Sequence, residues 1–183
     1  RIKPMANILL AVTGSISAYK AADLTSQLTK LGHQVKVLMT PAATAFITPL
    51  TLQVLSKQAV LVEVMTEEDP KQIQHIDLGK EADLFLVAPA SANTIAKLAH
   101  GFADNIVTST ALALPSEVKK FLAPAMNTKM LDHPATQNNL ETLKCYGYQI
   151  IPPREALLAC GDQGSGALAS IETILTTIQE SLS

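Results

Sequence analysis

The run Leu84-Phe-Leu-Val-Ala88, closed by Pro89 and followed by Ser91, limits the fold more than any other stretch. A continuous apolar run of this length before a breaker reads as a strand buried on both faces, the mark of a parallel sheet covered by helices. Proline has no N–H for a ladder, so the strand is expected to stop at Pro89. Ser91 is a ready N-cap for a helix starting near Ala92. Strand, small-residue turn, polar cap and helix in that order aim free N–H groups at one point above the sheet, where the helix's positive end stabilises an anion. The small residues Ala88, Ala90, Ser91 and Ala92 let a flat ring come close to the backbone. One such junction is an ordinary capped helix, but the chain builds it three times.

Asn7 to Thr13 is a second buried-strand run, ending in Gly14-Ser-Ile-Ser17 and a helix through about Leu31, with Gly32 as its stop. Gln34 to Thr40 is a third, and Thr40 caps a short helix with Pro41 at its first position. Neither G-x-G-x-x-G nor G-x-x-x-x-G-K-[ST] occurs, which argues against a dinucleotide or a P-loop triphosphate and leaves a mononucleotide.

Further along, Phe46 to Ser56 reads as helical with a break at Pro49, and Ala59 to Val64 as a short strand. Thr66 to Gln74 is polar and acidic, a solvated loop that His75 to Leu78 closes. Histidine suits acid–base work near neutral pH, but spacing alone does not choose among His33, His75, His100 and His133. Phe102 to Asn105 caps an apolar helix through about Leu114. Ala123-Pro124-Ala125, ending the strand that starts at Lys119, echoes Ala88-Pro89-Ala90, and Asn127 follows it. Two such turns in one sheet place Ser91 and Asn127 on the same rim. Asn127 donates and accepts, so it suits an amide or a carboxylate, or simply caps the short helix before Asp132. Pro134 to Tyr146 reads as a helix, Tyr148 to Ile151 as the last strand and Ser170 onward as a terminal helix.

Between the last strand and that helix, Ala159 to Leu168 holds three glycines in six residues, Gly161, Gly164 and Gly166. Such a stretch is expected to be a mobile flap rather than a packed element. A free cysteine is commonly a buried small hydrophobe. Cys145, in an apolar helix, fits that description; Cys160, in a Gly-rich loop, does not and is the candidate catalytic thiol.

Composition narrows the class further. With 48% hydrophobic and 16% charged residues among 183, one domain with a large core is expected over 5–183, and 1–4, ahead of Met5, reads as a remnant of expression. A net charge of −2 gives no reason to expect nucleic acid or an anionic membrane as partner. Two cysteines make neither a disulfide framework nor a zinc site, so no metal is expected. No apolar run approaches the roughly 18 residues that span a bilayer, and a cytoplasmic location is expected.

Together these residues resemble the homo-oligomeric, flavin-containing cysteine decarboxylases. The likeness covers nearly the whole chain from Met5. It rests on Gly14-Ser-Ile-Ser17, on the PASANT motif standing as Pro89 to Thr94, on P-x-M-N-x-x-M standing as Pro124 to Met130, on His75 and on the Ala159-Cys-Gly flap. Leu131 departs from the family, where many members carry Trp. The resemblance implies an α/β single domain with a doubly wound parallel sheet, a Rossmann- or flavodoxin-like three-layer sandwich. It implies FMN as cofactor, held by Gly14, Ser15, Ile16, Thr40, Phe46, Ser91, Ala92, Asn93 and Thr94, with Ala125 against the ring. It implies decarboxylation of 4′-phospho-N-pantothenoyl-L-cysteine to 4′-phosphopantetheine and CO₂ in coenzyme A biosynthesis, through a thioaldehyde and an enethiol. His75 would be the base of the oxidative half and Cys160 the proton donor of the reductive half. Asn127, Met126, Ala159 and Gly161 would contact substrate. It further implies trimers, some assembled into dodecamers, with the flavin between neighbouring subunits. A peptidyl-cysteine decarboxylase is the nearest rival.

Overall fold

Alternation within the strands decides the layering. In β3 (Leu84–Ala90), Leu84, Leu86 and Ala88 enter one core while Phe85, Val87 and Ala90 enter another on the opposite face. Every residue of this strand is buried, so both faces must be covered. The computed structural model, which describes residues 5–65 and 74–183, shows how. One face of the sheet carries α1 (Ala21–Lys30), α2 (Pro49–Ser56) and α8 (Ile171–Ser181), through Leu24, Leu28, Leu52, Ile174 and Ile178. The other carries α4 (Ala92–Ala99), α5 (Ile106–Leu112) and α7 (Pro134–Cys145), through Ile95, Leu98, Val107, Leu140 and Leu143. Phe85 and Phe121, each fully buried, fill opposite cores. Removing such a side chain from water is worth about 1.5–3 kcal/mol.

The sheet itself is parallel, with β1 (Asn7–Val12), β2 (Gln34–Met39), β3, β4 (Lys119–Pro124) and β5 (Tyr148–Ile150) in the order β2-β1-β3-β4-β5. This is the doubly wound α/β sandwich expected from the sequence. In this order the chain reverses direction across the sheet between β1 and β3, and ligands of such folds bind beyond the carboxyl ends of the strands at that point.

Several local expectations are corrected. β3 does not stop at Pro89 but runs to Ala90, which pairs with Pro124; the register shifts between Val87 and Ala90, so the ladder asks for no N–H at the proline. Gly14 to Ser17 leads into a 3₁₀ turn, Ile16–Lys20, before α1 begins, and Pro41–Ala45 is a second 3₁₀ turn. Pro49 opens α2 behind the cap Thr48 rather than breaking a helix from Phe46. Ala59 to Val64 supplies only one bridge, Leu61 to Leu38, at the sheet edge. The acidic stretch lies largely outside the described residues, and His75 stands inside α3 (Gln74–Glu81) instead of closing a loop. Cys145, at the last position of α7, is exposed rather than buried.

The largest correction concerns the Gly-rich segment. It is an antiparallel hairpin of β6 (Arg154–Leu157) and β7 (Gln163–Ala167), packed on the loop after β4. The N–H of Met126 donates to the Gly166 carbonyl at 2.9 Å, and the Thr128 hydroxyl donates to the Ser165 carbonyl at 2.5 Å. Gly166 has φ +130, and a Cβ there would stand 2.2 Å from the Met126 carbonyl oxygen. The glycine serves close backbone approach as well as turn-making, which composition alone does not distinguish.

Candidate active site

Four strand ends build the site. Each feeds a polar cap at the carboxyl edge of the sheet: Ser15 accepts from the N–H of Ser17, Thr40 from Ala43, Ser91 from Thr94 and Asn127 from Lys129. The caps satisfy part of each helix start and leave its positive end facing the same rim. Gly14 permits the crowding, since a Cβ there would lie 2.7 Å from the Ala42 Cβ. Thr13, at the end of β1, ties two of the loops together. Its hydroxyl donates to the Pro89 carbonyl at 2.6 Å and accepts the Ser91 N–H at 2.9 Å, fully buried.

A cavity of about 480 Å³ opens between these loops and the hairpin. Its lining includes Gly14, Ser15, Ile16, Phe46, Ser91, Ala92, Ala125, Met126, Asn127, Ala159 and Cys160, all anticipated from the sequence. A neighbouring hollow of about 400 Å³ shares Gly14, Ser91 and Ala92 and adds Thr40, Asn93 and Thr94. The two hollows suit a nucleotide with a flat ring and a phosphate arm: small side chains for the ring, hydroxyls and helix starts for the phosphate. Gly161 is not on the wall; with φ +88 it shapes the hairpin turn. Leu131, in place of the family Trp, is buried in the core under α4 and α7.

Asn127 and Cys160 sit together on this wall. The Asn127 amide nitrogen donates to the Cys160 sulfur at 3.2 Å. Because the Asn127 oxygen already accepts the Lys129 N–H at 2.8 Å, the amide is oriented with its donor end toward the cavity. Cys160 is exposed at the tip of the hairpin, and its sulfur reaches the Asp162 carboxylate at 3.4 Å.

His75 is not brought to this pair. It lines a different cavity of about 710 Å³ with Val64, Met65, Ala103, Ser109 and Leu112, and its Nδ1 is buried without a hydrogen-bond partner among the described residues.

Three further groups escaped the sequence reading. Thr13 was read only as a strand end, since its partners Pro89 and Ser91 lie 76 and 78 residues away. Lys20 and Arg154 also line the main cavity. Burial, and then the positive charge of Arg154, hold the Lys20 ammonium below the usual lysine range. No sequence signal marked Arg154, which reaches the cavity only through the hairpin. Among the described residues there is no group of three or more His, Cys, Asp or Glu side chains placed to hold a metal ion, and no helix is long and apolar enough to cross a membrane.

A parallel sheet with capped helix starts converging beside a thiol-bearing hairpin defines a mononucleotide-binding α/β protein with an exposed cysteine at its site. Within that class, the chain belongs to the flavoprotein family, whose profile matches residues 1–183. It is 67% identical over 175 residues to the "Probable phosphopantothenoylcysteine decarboxylase" of Streptococcus mutans serotype c, covering 96% of this chain and 98% of that one. Among solved structures it resembles a PPC decarboxylase mutant complexed with pantothenoylaminoethenethiol, with a TM-score of 0.87, 33% identity and coverage of 97% and 98%. It also resembles the FMN binding protein AtHal3, with a TM-score of 0.82, 33% identity and coverage of 97% and 96%.

Proposed function

We propose that this chain binds FMN and decarboxylates 4′-phospho-N-pantothenoyl-L-cysteine to 4′-phosphopantetheine and CO₂, the carboxy-lyase step of coenzyme A biosynthesis, in the cytoplasm. The observation that carries this reading is the meeting of the Asn127 amide and the Cys160 thiol on the wall of the cavity that the four capped loops surround. When bound, FMN supplies a two-electron sink for the cysteinyl CH₂–SH and later returns the pair, so no net oxidation remains. Gly14, Ser15, Ile16, Thr40, Phe46 and Ser91 to Thr94 hold it, with Ala125 beside the ring. The hollows they line fit that cofactor in shape and polarity.

The remaining work belongs to side chains. The outward Nδ2 of Asn127 binds the substrate carboxylate until CO₂ leaves. Met126 and Ala159 pack on the cysteinyl arm, with Gly161 fixing the turn beside them. Lys20 and Arg154 give the cavity wall a positive charge suited to a substrate that is anionic at both ends. His75 takes a proton during oxidation, and the Cys160 thiol gives one to the carbon that lost CO₂. The hairpin over the cavity keeps water from the intermediates.

In one subunit His75 and Cys160 line separate cavities. That separation supports sites built between neighbours in a homotrimer, or in a dodecamer of four trimers. So does the apolar rim of Ile16, Tyr19, Phe46, Met130 and Leu157, each more than 45% exposed in the single chain. Mixing unfolded His75→Asn and Cys160→Ser chains and refolding them together is expected to restore activity. Random assembly gives about one quarter of wild-type sites. Activity no greater than that of either parent overturns the shared site. The function itself is tested by giving the FMN-loaded wild type 4′-phosphopantothenoylcysteine. The expected result is loss of one CO₂ by mass, with the flavin oxidised at the end. An enzyme that ignores this compound and turns over a peptidyl-cysteine overturns the substrate.

A further inference from the structure

The hairpin turn carries a third polar group for which the reaction as described has no task, Asp162. Two backbone bonds of 2.8 Å, Gly161 N–H to the Leu158 carbonyl and Leu158 N–H to the Asp162 carbonyl, close a three-residue loop over Ala159, Cys160 and Gly161. Gly161 takes the left-handed position that such loops require. Cys160 and Asp162 are therefore held on one side of a fixed turn, and the Cys160 sulfur stands 3.4 Å from the Asp162 Oδ2.

Donors and acceptors around the sulfur allow one arrangement. The Asn127 oxygen is used by the Lys129 N–H, so the group facing Cys160 at 3.2 Å is the Nδ2 donor, and the sulfur accepts from it. An ionised carboxylate only accepts. The sulfur must then donate to Asp162, and a thiol does both while a thiolate has no hydrogen to offer. Asp162 also makes no ion pair among the described residues.

From this geometry we infer that Asp162 is a positioning residue that accepts the Cys160 S–H hydrogen bond and so holds that hydrogen in place for the reductive half of the reaction. The inference rests on the decarboxylase reading above. In that step the Cys160 S–H bond breaks and a C–H bond forms at the carbon that lost CO₂. FMN, held by the residues named above, would supply the hydride that the sulfur-bearing carbon also needs. The thiolate left behind recovers its proton from water at the exposed turn, and the restored S–H bond again meets the Asp162 carboxylate. While the bond to Asp162 is made the hydrogen stays on sulfur, which also shields Cys160 from alkylation and oxidation.

The test uses FMN-loaded protein carrying Cys145→Ser, which removes the other exposed thiol, with and without Asp162→Asn. Iodoacetamide labelling of Cys160, followed by intact mass without substrate, is expected to run roughly 3–10-fold faster in the Asp162→Asn protein. Asp162→Glu, which restores the acceptor, is expected to slow it again, as a merely loosened hairpin would not. Equal labelling rates in the presence and absence of the Asp162 carboxylate overturn the inference. With 4′-phosphopantothenoylcysteine and no oxygen, Asp162→Asn is expected to bleach the flavin within about twofold of the parent rate and recover its colour about tenfold more slowly. Bleaching and recovery slowed equally, or neither slowed, overturn it as well. If the wild type fails to bleach, the decarboxylase reading falls, while labelling still decides the role of Asp162.

Discussion

Cys160→Ser protein, loaded with FMN and mixed with 4′-phosphopantothenoylcysteine under anaerobic conditions, is expected to bleach its flavin, release CO₂ and stop with an enethiol in hand. In the proposed reaction, oxidation and CO₂ loss draw on His75 and on the Asn127 amide, and neither depends on the Cys160 sulfur. Protonation of carbon in the proposed second half does depend on it, and a serine hydroxyl is far weaker as an acid than a thiol. Loss of a positioned general acid typically costs about 10²–10⁴-fold. The hairpin should survive, because the Leu158, Gly161 and Asp162 bonds that close the turn are all backbone. Flavin absorbance and product mass read the outcome directly. Unchanged flavin in the variant, beside turnover in the wild type, would move Cys160 into the oxidative half or into binding.

Asn127→Asp is expected to lower kcat/KM by about 10²–10³-fold while leaving thermal stability and FMN content close to wild type. Asp and Asn are about equally good N-caps, so the oxygen that accepts the Lys129 N–H is preserved and α6 (Thr128–Asp132) still starts where it does. What changes is the end facing the cavity. A donor becomes an acceptor, which repels the substrate carboxylate and loses the contact to the Cys160 sulfur. Activity, melting temperature and flavin content measured on the same preparation separate this from misfolding. A parallel fall in all three would mean that Asn127 is chiefly structural. Full activity would remove it from carboxylate binding.

These two residues also show where sequence reading reaches and where it fails. Asn127 could be read as a cap or as a ligand group; the structure shows the cap, and the same amide turns its donor end toward the cavity, where the ligand role remains a proposal. Cys160 was marked by its Gly-rich setting, and it is exposed at a turn as that setting implies. Gly164 and Gly166, in the same setting, suggest a mobile flap and instead belong to a packed strand. Their purpose is to let β7 lie against Met126 and Thr128, a contact spanning some 35 to 40 residues that no local pattern encodes.

The sequence by itself determined the strand runs, the small-residue turn at Gly14 to Ser17, the capped junctions at Thr40, Ser91 and Asn127, and hence a parallel sheet with a nucleotide cradle at its carboxyl edge. These are local or periodic properties, set by backbone chemistry within a few residues and by side-chain alternation. Only the tertiary structure decided which loops touch. It placed Thr13 across the gap to Pro89, brought Arg154 to the cavity and put the Asp162 carboxylate beside the Cys160 thiol. It also set His75 apart from Cys160 within one chain. Those placements depend on how elements distant in sequence pack together, and the pairing energy of a hydroxyl with a carbonyl 76 residues away leaves no trace in the residues next to either.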